Sequence, residues 1–401
     1  MNLVIENATI FPATGAAPIH DGFVVIEGER ITAVGPRTAV SRLKTDPACT
    51  IDAAGGTVLP GLMDMHVHVA SEIPPEDRPE GWTPRSVTAH MLRVASALEW
   101  VVRTGVTGLR DAGFPHHGIF ALREAIEQGH YLGPRLYLSG RALCTTGGHG
   151  HSISVSVDGE TEVRRAVRAE IKAGADWIKL MATGGTATPG ERTLDVQFTV
   201  NEMAAAVDEA HRRGKRVLAH CSCLAGAWAV VRAGVDSLEH GIELDEAVVS
   251  EMIKRGVWLV PSLKCTAIEG ESGPESGIPE YVREKARQVY RTQMRSFQRA
   301  MEAGVEIAAG TDAGPNYLPL GRESLVLELT LMIELGMDPA AAILSCTRQA
   351  ARLLGVESEL GTVEPGKLAD LVIVEGDPLL EITALNSVRY VIKGGQVITP
   401  A

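Results

Sequence analysis

Aromatic residues and cysteine clusters are scarce in this sequence. Phenylalanine, tryptophan and tyrosine together make up only 4% of the 401 residues, and the six cysteines include no C-x-x-C pair. A chain of this size with so few cysteines does not have the disulfide framework of small secreted domains. We therefore expect reduced thiols and a cytoplasmic protein.

Export signals, long apolar runs and positive charge are also lacking. The first residues, MNLVIENATIFP, have neither the basic region nor the apolar stretch of a signal peptide. No run of about 18 apolar residues occurs later. Because 50 acidic residues outnumber 38 basic ones, the net charge is -12. This charge disfavours nucleic acid and anionic membranes as partners, so we expect a small-molecule substrate.

The sequence is rich in glycine and aliphatic residues, and these follow a repeating pattern. Its 42 glycines and 45% apolar content are typical of a globular α/β protein. Between residues 59 and 356, eight strand-like runs alternate with amphipathic helical segments. The runs are GLMDMHVHV, VTGLRDAG, RLYLSGRAL, DWIKLMAT, RVLAHC, DSLEHG, WLVPSL and EIAAGTD. We predict a (β/α)8 TIM-like barrel, with an open doubly wound sheet as the alternative that strand number leaves open.

Two helices have clear boundaries in the sequence. Thr199 and Glu202 have the spacing of a capping box, which predicts a helix start before an apolar stripe. Asp338 and Pro339 predict the start of a second helix, which Gly355 ends.

Both ends of the chain have the pattern of short strands and turns instead. Residues 1–58 include GFVVIEGERITAVG, and a similar texture returns in residues 357–401 with LVIVEGDPL. We predict that these two segments form one small β-sandwich domain, and that residues 59–356 form the barrel.

Polar residues occur near the ends of most predicted barrel strands, where the apolar runs do not need them. Since barrels place their chemistry at the carboxyl ends of their strands, these side chains are expected to converge. Alone, a strand histidine is more often a core residue, and Lys179 alone could pair with Asp176. Together, the four histidines and an aspartate suit zinc or a similar divalent cation. The converging residues are His66, His68, Lys179, His220, His240 and Asp312.

With these motifs the sequence resembles the metal-dependent amidohydrolase superfamily. GLMDMHVHV, WIKLMATGG, VLAHC, SLEHG and AGTDAG carry the resemblance, and TTGGHGHSIS resembles a loop of the prolidase-like branch of dipeptidases and carboxypeptidases. The resemblance implies two divalent metal ions, with zinc favoured, and a Lys179 carboxylated by CO₂ that bridges them. It assigns His66, His68 and Asp312 to one metal, and His220 and His240 to the other.

The resemblance also implies a reaction. Two cations about 3.5–4 Å apart keep a bridging hydroxide available near neutral pH and polarise a carbonyl group. Asp312 is expected to act as the catalytic base, and His149 and His151 are expected to bind the substrate. We predict a hydrolase that cleaves an amide bond in a dipeptide or an N-acyl amino acid. Self-association as a homo-oligomer is a further expectation.

Two other functions stay open. The first is a mononuclear deaminase, or a cyclic-imidazolone or lactone hydrolase, on the same barrel. Lys179 argues against it, as does Cys223, because deaminase-like relatives usually have glutamate there. The second is a catalytically inactive scaffold, which the intact ligand set disfavours. Peptide specificity is also open, because Ser222 stands where dipeptidase-like relatives often have tyrosine.

The remaining histidines and cysteines match no motif position. We expect Cys221 and Cys223 to pack in the interior rather than bind metal. We expect four histidines without a matching motif position to lie on the surface: His116, His117, His130 and His211.

Overall fold

The computed structural model describes residues 2–42, 50–72, 84–314 and 318–400. Within these ranges the strands are β1 (Asn2–Ile10), β2 (Ile19–Glu27), β3 (Arg30–Pro36), β4 (Thr50–Asp52), β5 (Thr57–Pro60), β6 (Leu62–Val67), β7 (Val106–Asp111), β8 (Arg135–Leu138), β9 (Ala142–Cys144), β10 (Ser154–Ser156), β11 (Trp177–Met181), β12 (Arg216–Cys221), β13 (Ser237–His240), β14 (Trp258–Val260), β15 (Leu371–Val374), β16 (Val388–Lys393) and β17 (Gln396–Ile398).

The helices in the same ranges are α1 (Pro84–Arg103), α2 (Gly118–Glu127), α3 (Gly159–Ala173), α4 (Val200–His211), α5 (Leu224–Ala233), α6 (Glu246–Arg255), α7 (Leu263–Glu271), α8 (Glu280–Ala303), α9 (Arg322–Glu334), α10 (Pro339–Ser345) and α11 (Arg348–Leu354). Among them, no helix combines the length and apolar composition that crossing a bilayer requires.

The chain forms two compact units. The first takes its residues from 1–64, 99–108 and 321–401, and the second from 65–98 and 109–320. The boundaries 1–58 plus 357–401 and 59–356 stay a prediction.

The first unit contains a sheet built from both ends of the chain. Its strand order is β17-β16-β15-β5-β1-β2-β3, and β4 pairs with β1 outside this path. β15 runs antiparallel to β5, from Leu371 opposite Pro60 to Val374 opposite Thr57. Alternating side chains of these strands form a buried apolar cluster that includes Ile5, Val24, Val58, Ile373 and Ile392. Both ends of the chain therefore contribute strands to one sheet.

Parallel strands carry the residues of the predicted barrel. One sheet has the order β10-β9-β11-β12-β13-β14, and another has the order β6-β7-β8. Seven of the eight predicted runs contain a strand. The third run is split into β8 and β9, because Gly140 between them has a φ of +66° that interrupts the extended backbone. β10 was not predicted.

The eighth predicted run, residues 306–312, does not form a regular strand. Ile307 makes an isolated parallel bridge to Leu259, and Ala313 makes one to Val67. The backbone N–H of Met65 donates to the carbonyl of Ala309 over 2.9 Å. Residues 306–313 are thus hydrogen-bonded to β14 on one side and to β6 on the other. The left-handed backbone of Asp312, with φ +52°, accounts for part of the irregularity.

The predicted capping box of α4 is present. The Thr199 side chain accepts a hydrogen bond from the Glu202 N–H, and the Glu202 side chain accepts one from the Thr199 N–H. Both contacts satisfy helix-terminal donors, so the local sequence was sufficient to place this helix start.

The predicted helix from Asp338 to Gly355 is wrong in one respect, because it is broken into α10 and α11. The Asp338 cap and the terminal Gly355 are where the sequence places them. Between the two helices, the Thr347 hydroxyl donates to the Ile343 carbonyl and the Ser345 hydroxyl to the Ala342 carbonyl. Such side-chain bonds compete with the backbone ladder, and the helix restarts after them.

The five described cysteines are all free and buried: Cys144, Cys221, Cys223, Cys265 and Cys346. Cys223 caps α5 by accepting a hydrogen bond from the Gly226 N–H. As predicted, Cys221 and Cys223 are interior residues.

Candidate metal centre

The six predicted ligands lie together near the carboxyl ends of the parallel strands. His66, Lys179, His220 and His240 are buried in β6, β11, β12 and β13. The side chains of His68 and Asp312 are 13% and 19% exposed. His68 and Asp312 are therefore the most exposed of the six side chains.

The nitrogen and oxygen atoms of these residues face one another at short distances. His66, His240 and Asp312 each present a donor atom within 4.8 Å of the other two. His68 Nε2 lies 3.4 Å from Asp312 Oδ1, and the ring centroid of His220 lies 4.7 Å from that of His240. The compact trio of His66, His240 and Asp312 combines residues that the resemblance assigns to different metals.

Burial keeps the four imidazoles in the form that binds metal. Desolvation lowers the pKa of His66, His220 and His240 well below the usual value, and nearby positive groups lower it further. The pKa of His68 is lowered by burial as well, although Asp312 opposes the shift. Because a neutral imidazole has a lone pair to offer, this environment fits a divalent cation.

Lys179 lies among these histidines. Its Nζ is 3.4 Å from His66 Nε2. Burial lowers its pKa to about 8, although the carboxylates of Glu239 and Asp312 act in the opposite direction. The sequence left an ion pair between Lys179 and Asp176 open. Asp176 instead forms an ion pair with Arg123, with 2.6 Å between the charged atoms. Lys179 thus belongs to the cluster rather than to a surface ion pair.

A buried ion pair holds His66 in place, and the sequence analysis missed it. Glu239 Oε2 accepts a hydrogen bond from His66 Nδ1 over 2.6 Å. Arg110 donates to both oxygens of Glu239 over 2.9 Å, and the Ser237 hydroxyl also donates to this carboxylate. Since Nδ1–H is bonded to the carboxylate, Nε2 of His66 faces the cluster as the metal-binding nitrogen. The available signal was a charged residue inside each of the apolar runs VTGLRD and SLEH.

Three non-glycine residues at the ends of adjacent strands have left-handed backbone. The φ angles are +68° at His240, +50° at Ser262 and +52° at Asp312. Side chains other than glycine rarely adopt this region, and such residues concentrate at functional sites. Here the conformation turns two predicted ligands at the point where their strands end.

Asp111 supports His68 through the backbone. Its carboxylate accepts hydrogen bonds from the N–H groups of Val69 and Gly113 over 3.0 and 3.1 Å. The Gly113 carbonyl lies 3.3 Å from His68 Nδ1 and accepts a hydrogen bond from it. Burial raises the pKa of Asp111 to about 7, against the lowering effect of the two N–H groups. These contacts fix the loop after β6 beside the cluster.

The segment after β9 brings His149 to the cluster but not His151. The His149 ring stacks on the His220 ring, with 4.4 Å between centroids. His149 Nδ1 bonds the carboxylate of Glu191. His151 is exposed, and within the described residues it shows neither a hydrogen bond nor a ring contact to the cluster. The geometry favours His149 over His151 as a substrate contact.

Helix α7 adds a thiol that the sequence analysis did not single out. Cys265 hydrogen-bonds Asp312, and burial together with the carboxylates of Glu269 and Asp312 raises the pKa of its thiol. The neutral S–H is thus the form that meets the aspartate.

The prediction that His116 lies on the surface is wrong. His116 Nε2 lies 2.9 Å from Nδ1 of the buried His90, and His90 Nε2 lies 3.2 Å from the Ala70 carbonyl. The His90 ring stacks on Phe114. Burial lowers the pKa of His116 to about 4. His90 thus ties α1 to the loop after β6 through Ala70 and to the loop after β7 through His116, and local sequence does not reveal these long-range contacts.

A sequence model of the amidohydrolase family matches residues 57–398 of the chain. The chain belongs to the amidohydrolase family. Among curated relatives, ochratoxinase of Aspergillus niger is 29% identical over 98% of this chain and 86% of its own. Imidazolonepropionase of Geobacillus kaustophilus is 28% identical over 95% of this chain and 90% of its own.

Solved structures of amidohydrolase relatives share the whole fold. A Xaa-Pro dipeptidase with bound methionine in its active site has a TM-score of 0.87 and 32% identity, over 99% of this chain and 100% of its own. A prolidase complexed with N-methylphosphonate-L-proline has a TM-score of 0.89 and 30% identity, over 100% of both chains. The prediction of a prolidase-like amidohydrolase that acts on C–N bonds is thereby confirmed.

Proposed function

We propose that this amidohydrolase cleaves an amide bond in a dipeptide or an N-acyl amino acid, using two divalent metal ions. The observation that carries the proposal is the cluster of four neutral imidazoles, Asp312 and Lys179 in one buried site. The ochratoxinase and prolidase relatives support an amide as the scissile bond.

The donor set fits the metals that the family implies. Four imidazole nitrogens and a carboxylate are ligands for zinc or a related divalent cation, and we propose zinc. The holding residues are His66, His68, His220, His240, Asp312 and Lys179, the last as a carbamate formed with CO₂. When bound, the metals supply a water of lowered pKa and polarise the substrate carbonyl.

The side chains of the protein perform the remaining steps. The Asp312 carboxylate lies 3.4 Å from His68 and 3.6 Å from His66, at the exposed side of the cluster, where it takes the proton of the attacking water. It then returns this proton to the leaving amine. The Arg110–Glu239 pair keeps the His66 ring from turning, and the His149 ring contacts the substrate.

We further propose that the strands close into a (β/α)8 barrel and that the terminal sheet is a β-sandwich. The bonds of residues 306–313 to both β14 and β6 support the closure. A homo-oligomer, a cytoplasmic location and a role for His151 in substrate binding stay predictions.

The imidazolonepropionase relative keeps one second candidate open. A cyclic imidazolone also contains a C–N bond, which a metal-activated water can attack. Lys179 in the buried cluster favours two metals over one and therefore favours the amide hydrolase.

The test combines metal analysis with a substrate screen. Gently purified protein is expected to contain two equivalents of divalent metal, and turnover is expected with dipeptides or N-acyl amino acids. Lactones and cyclic ureas complete the panel. One equivalent of metal with turnover of cyclic ureas only would favour the second candidate, and a metal-free protein without any activity would contradict both.

A further inference from the structure

We propose that Glu191 is a positioning residue that fixes the ring of His149 for its contact with the substrate. The inference rests on the proposed function, because it takes His149 as a residue that contacts the substrate. It adds a residue from a different loop, after β11, to the machinery of the site.

Glu191 is held by three hydrogen-bond donors. Its Oε1 bonds His149 Nδ1 and accepts from the Gly185 N–H over 2.9 Å. Its Oε2 accepts from Gln197 Nε2 over 2.9 Å. The Glu191 side chain is only 8% exposed. A carboxylate with this many donors stays ionised and in one orientation.

An ionised carboxylate determines which nitrogen of His149 has the proton. Because the carboxylate can only accept hydrogen bonds, the His149 nitrogen that faces it must be Nδ1–H. Nε2 is then the nitrogen left for a ligand.

The backbone of His149 is fixed by the same network. Its N–H donates to Gln197 Oε1 over 2.9 Å, so Gln197 bonds His149 with its oxygen and Glu191 with its nitrogen. The three residues form a closed ring of hydrogen bonds. This ring ties the loop after β9 to the loop after β11, and the Thr188 hydroxyl adds contacts to His149 Nδ1 and to the Gly150 N–H, each at 3.1 Å.

Gly185 leaves room for the ring that Glu191 orients. A Cβ atom at Gly185 would lie 2.5 Å from His149 Nε2 and 2.4 Å from its Cε1. On the other face, the ring stacks on His220. The imidazole is thus held between a glycine and a predicted metal ligand, with Glu191 at its Nδ1 side.

The first test is Glu191→Gln, alone and in a His149→Ala background. In the unaltered protein, we expect kcat/KM for the best amide substrate to fall about 10- to 100-fold, with the metal content unchanged. In the His149→Ala protein, the same change is expected to add less than about twofold, because Glu191 acts through His149. Equal losses in the two backgrounds would assign Glu191 a structural role of its own and would overturn the proposal.

A second variant approaches the ring from its other side. Gly185→Ala keeps the backbone N–H that donates to Glu191 and adds a methyl group that crowds the His149 ring. It is therefore expected to lower kcat/KM in the unaltered protein and to have little effect once His149 is alanine. The matched control is Asp236→Asn, which removes the carboxylate that bonds the half-exposed His211 over 2.9 Å. This control should leave kcat/KM unchanged.

A spectroscopic readout separates this inference from the proposed function. In nitrogen NMR spectra of zinc-loaded protein with isotopically labelled histidine, the signal lost in His149→Ala identifies His149. We expect Nδ1–H in the unaltered protein and a loss of that preference in Glu191→Gln. If the protein turns over no amide, the proposed function fails while this tautomer result still decides the role of Glu191. An unaltered His149 tautomer in Glu191→Gln would refute it.

Discussion

At the scale of single residues, Asp312 contacts several parts of the site. It lies against His66 and His68, hydrogen-bonds Cys265 and adopts a left-handed backbone. A residue used only to bind metal would not need to face solvent. Its partial exposure is consistent with a carboxylate that exchanges protons with an arriving substrate.

Replacing Asp312 by asparagine separates these roles. Asparagine preserves the shape but is not a base, so we expect kcat to fall by about 10²- to 10⁴-fold while much of the metal is retained. Steady-state kinetics and metal analysis on the same sample provide the check. Full activity in Asp312→Asn would rule out Asp312 as the base.

Glu239 is the residue whose loss should cost most stability. Glu239→Gln leaves the Arg110 guanidinium buried beside a neutral amide, and breaking a buried pair costs about 3–5 kcal/mol. We also expect metal to be lost to a chelator about 10- to 100-fold more readily, because the acceptor for His66 Nδ1–H is weakened. Urea unfolding and chelator titration measure the two effects.

The control for Glu239→Gln is Glu251→Gln on α6, whose side chain is 20% exposed against 0% for Glu239. Glu251 pairs with Lys254 and Arg255, whose side chains are 75% and 43% exposed. Exposed pairs contribute about 1 kcal/mol or less. Similar losses of unfolding free energy in the two variants would contradict the buried role of Glu239.

The burial of His116 should make the stability of the protein depend on pH. Its pKa is about 4 in the folded protein against 6.5 for an ordinary histidine. Between these values the unfolded chain binds a proton that the native state does not, so the free energy of unfolding is expected to fall as pH decreases from 6.5 to about 4. His116→Asn should reduce this slope, and His130→Asn, at an exposed site, should not. Chemical denaturation across this range gives the slopes, and equal slopes in all three proteins would refute the role of His116.

At the scale of helices and strands, local signals were reliable where one residue sets the boundary. The cap at Thr199, the start at Asp338 and the end at Gly355 are all where the sequence places them. The break at Thr347 was not foreseen, because it depends on hydroxyl bonds to specific carbonyls rather than on periodicity. The eighth strand was expected as regular, although backbone bends around Asp312 leave it only isolated bridges.

The capping box of α4 gives a prediction at this scale. Thr199→Ala removes the acceptor for the Glu202 N–H and should lower the free energy of unfolding by about 1 kcal/mol. Since the Thr199 side chain bonds Glu202 and not the cluster, kcat/KM should stay the same. Val200→Ala, at the next position, is the control. A loss as small as the control's would show that the cap contributes nothing.

At the scale of the whole molecule, the buried cluster couples metal content to stability. Metals that bind the native state and not the unfolded chain stabilise it by about 2.7 kcal/mol when free metal is about 100 times Kd. We expect a chelator to lower the unfolding temperature by several degrees. A His66→Ala, His240→Ala double variant should be nearly insensitive to the chelator. An equal shift in both proteins would indicate that the chelator acts elsewhere.

Some residues of the site could be predicted from the sequence and others could not, for a physical reason. Residues such as His66 and Asp312 stand out because a polar group at the end of an apolar strand has no local explanation. Glu239 and Arg110 could not be predicted, because each is explained only by its ion pair with the other, and the two are 129 positions apart in the sequence. Glu191 lies in a loop whose path no periodicity predicts. Chemistry at strand ends was thus visible in the sequence, and the groups that orient it were not.

The sheet that joins both ends of the chain has a consequence for biosynthesis. β5 pairs on one side with β1 and on the other with β15, which begins only at Leu371. While the ribosome makes the intervening residues, the early apolar strands lack one neighbour and expose a pairing edge. We expect this edge of β5 to stay without its native partner until residues 371–374 have left the ribosome.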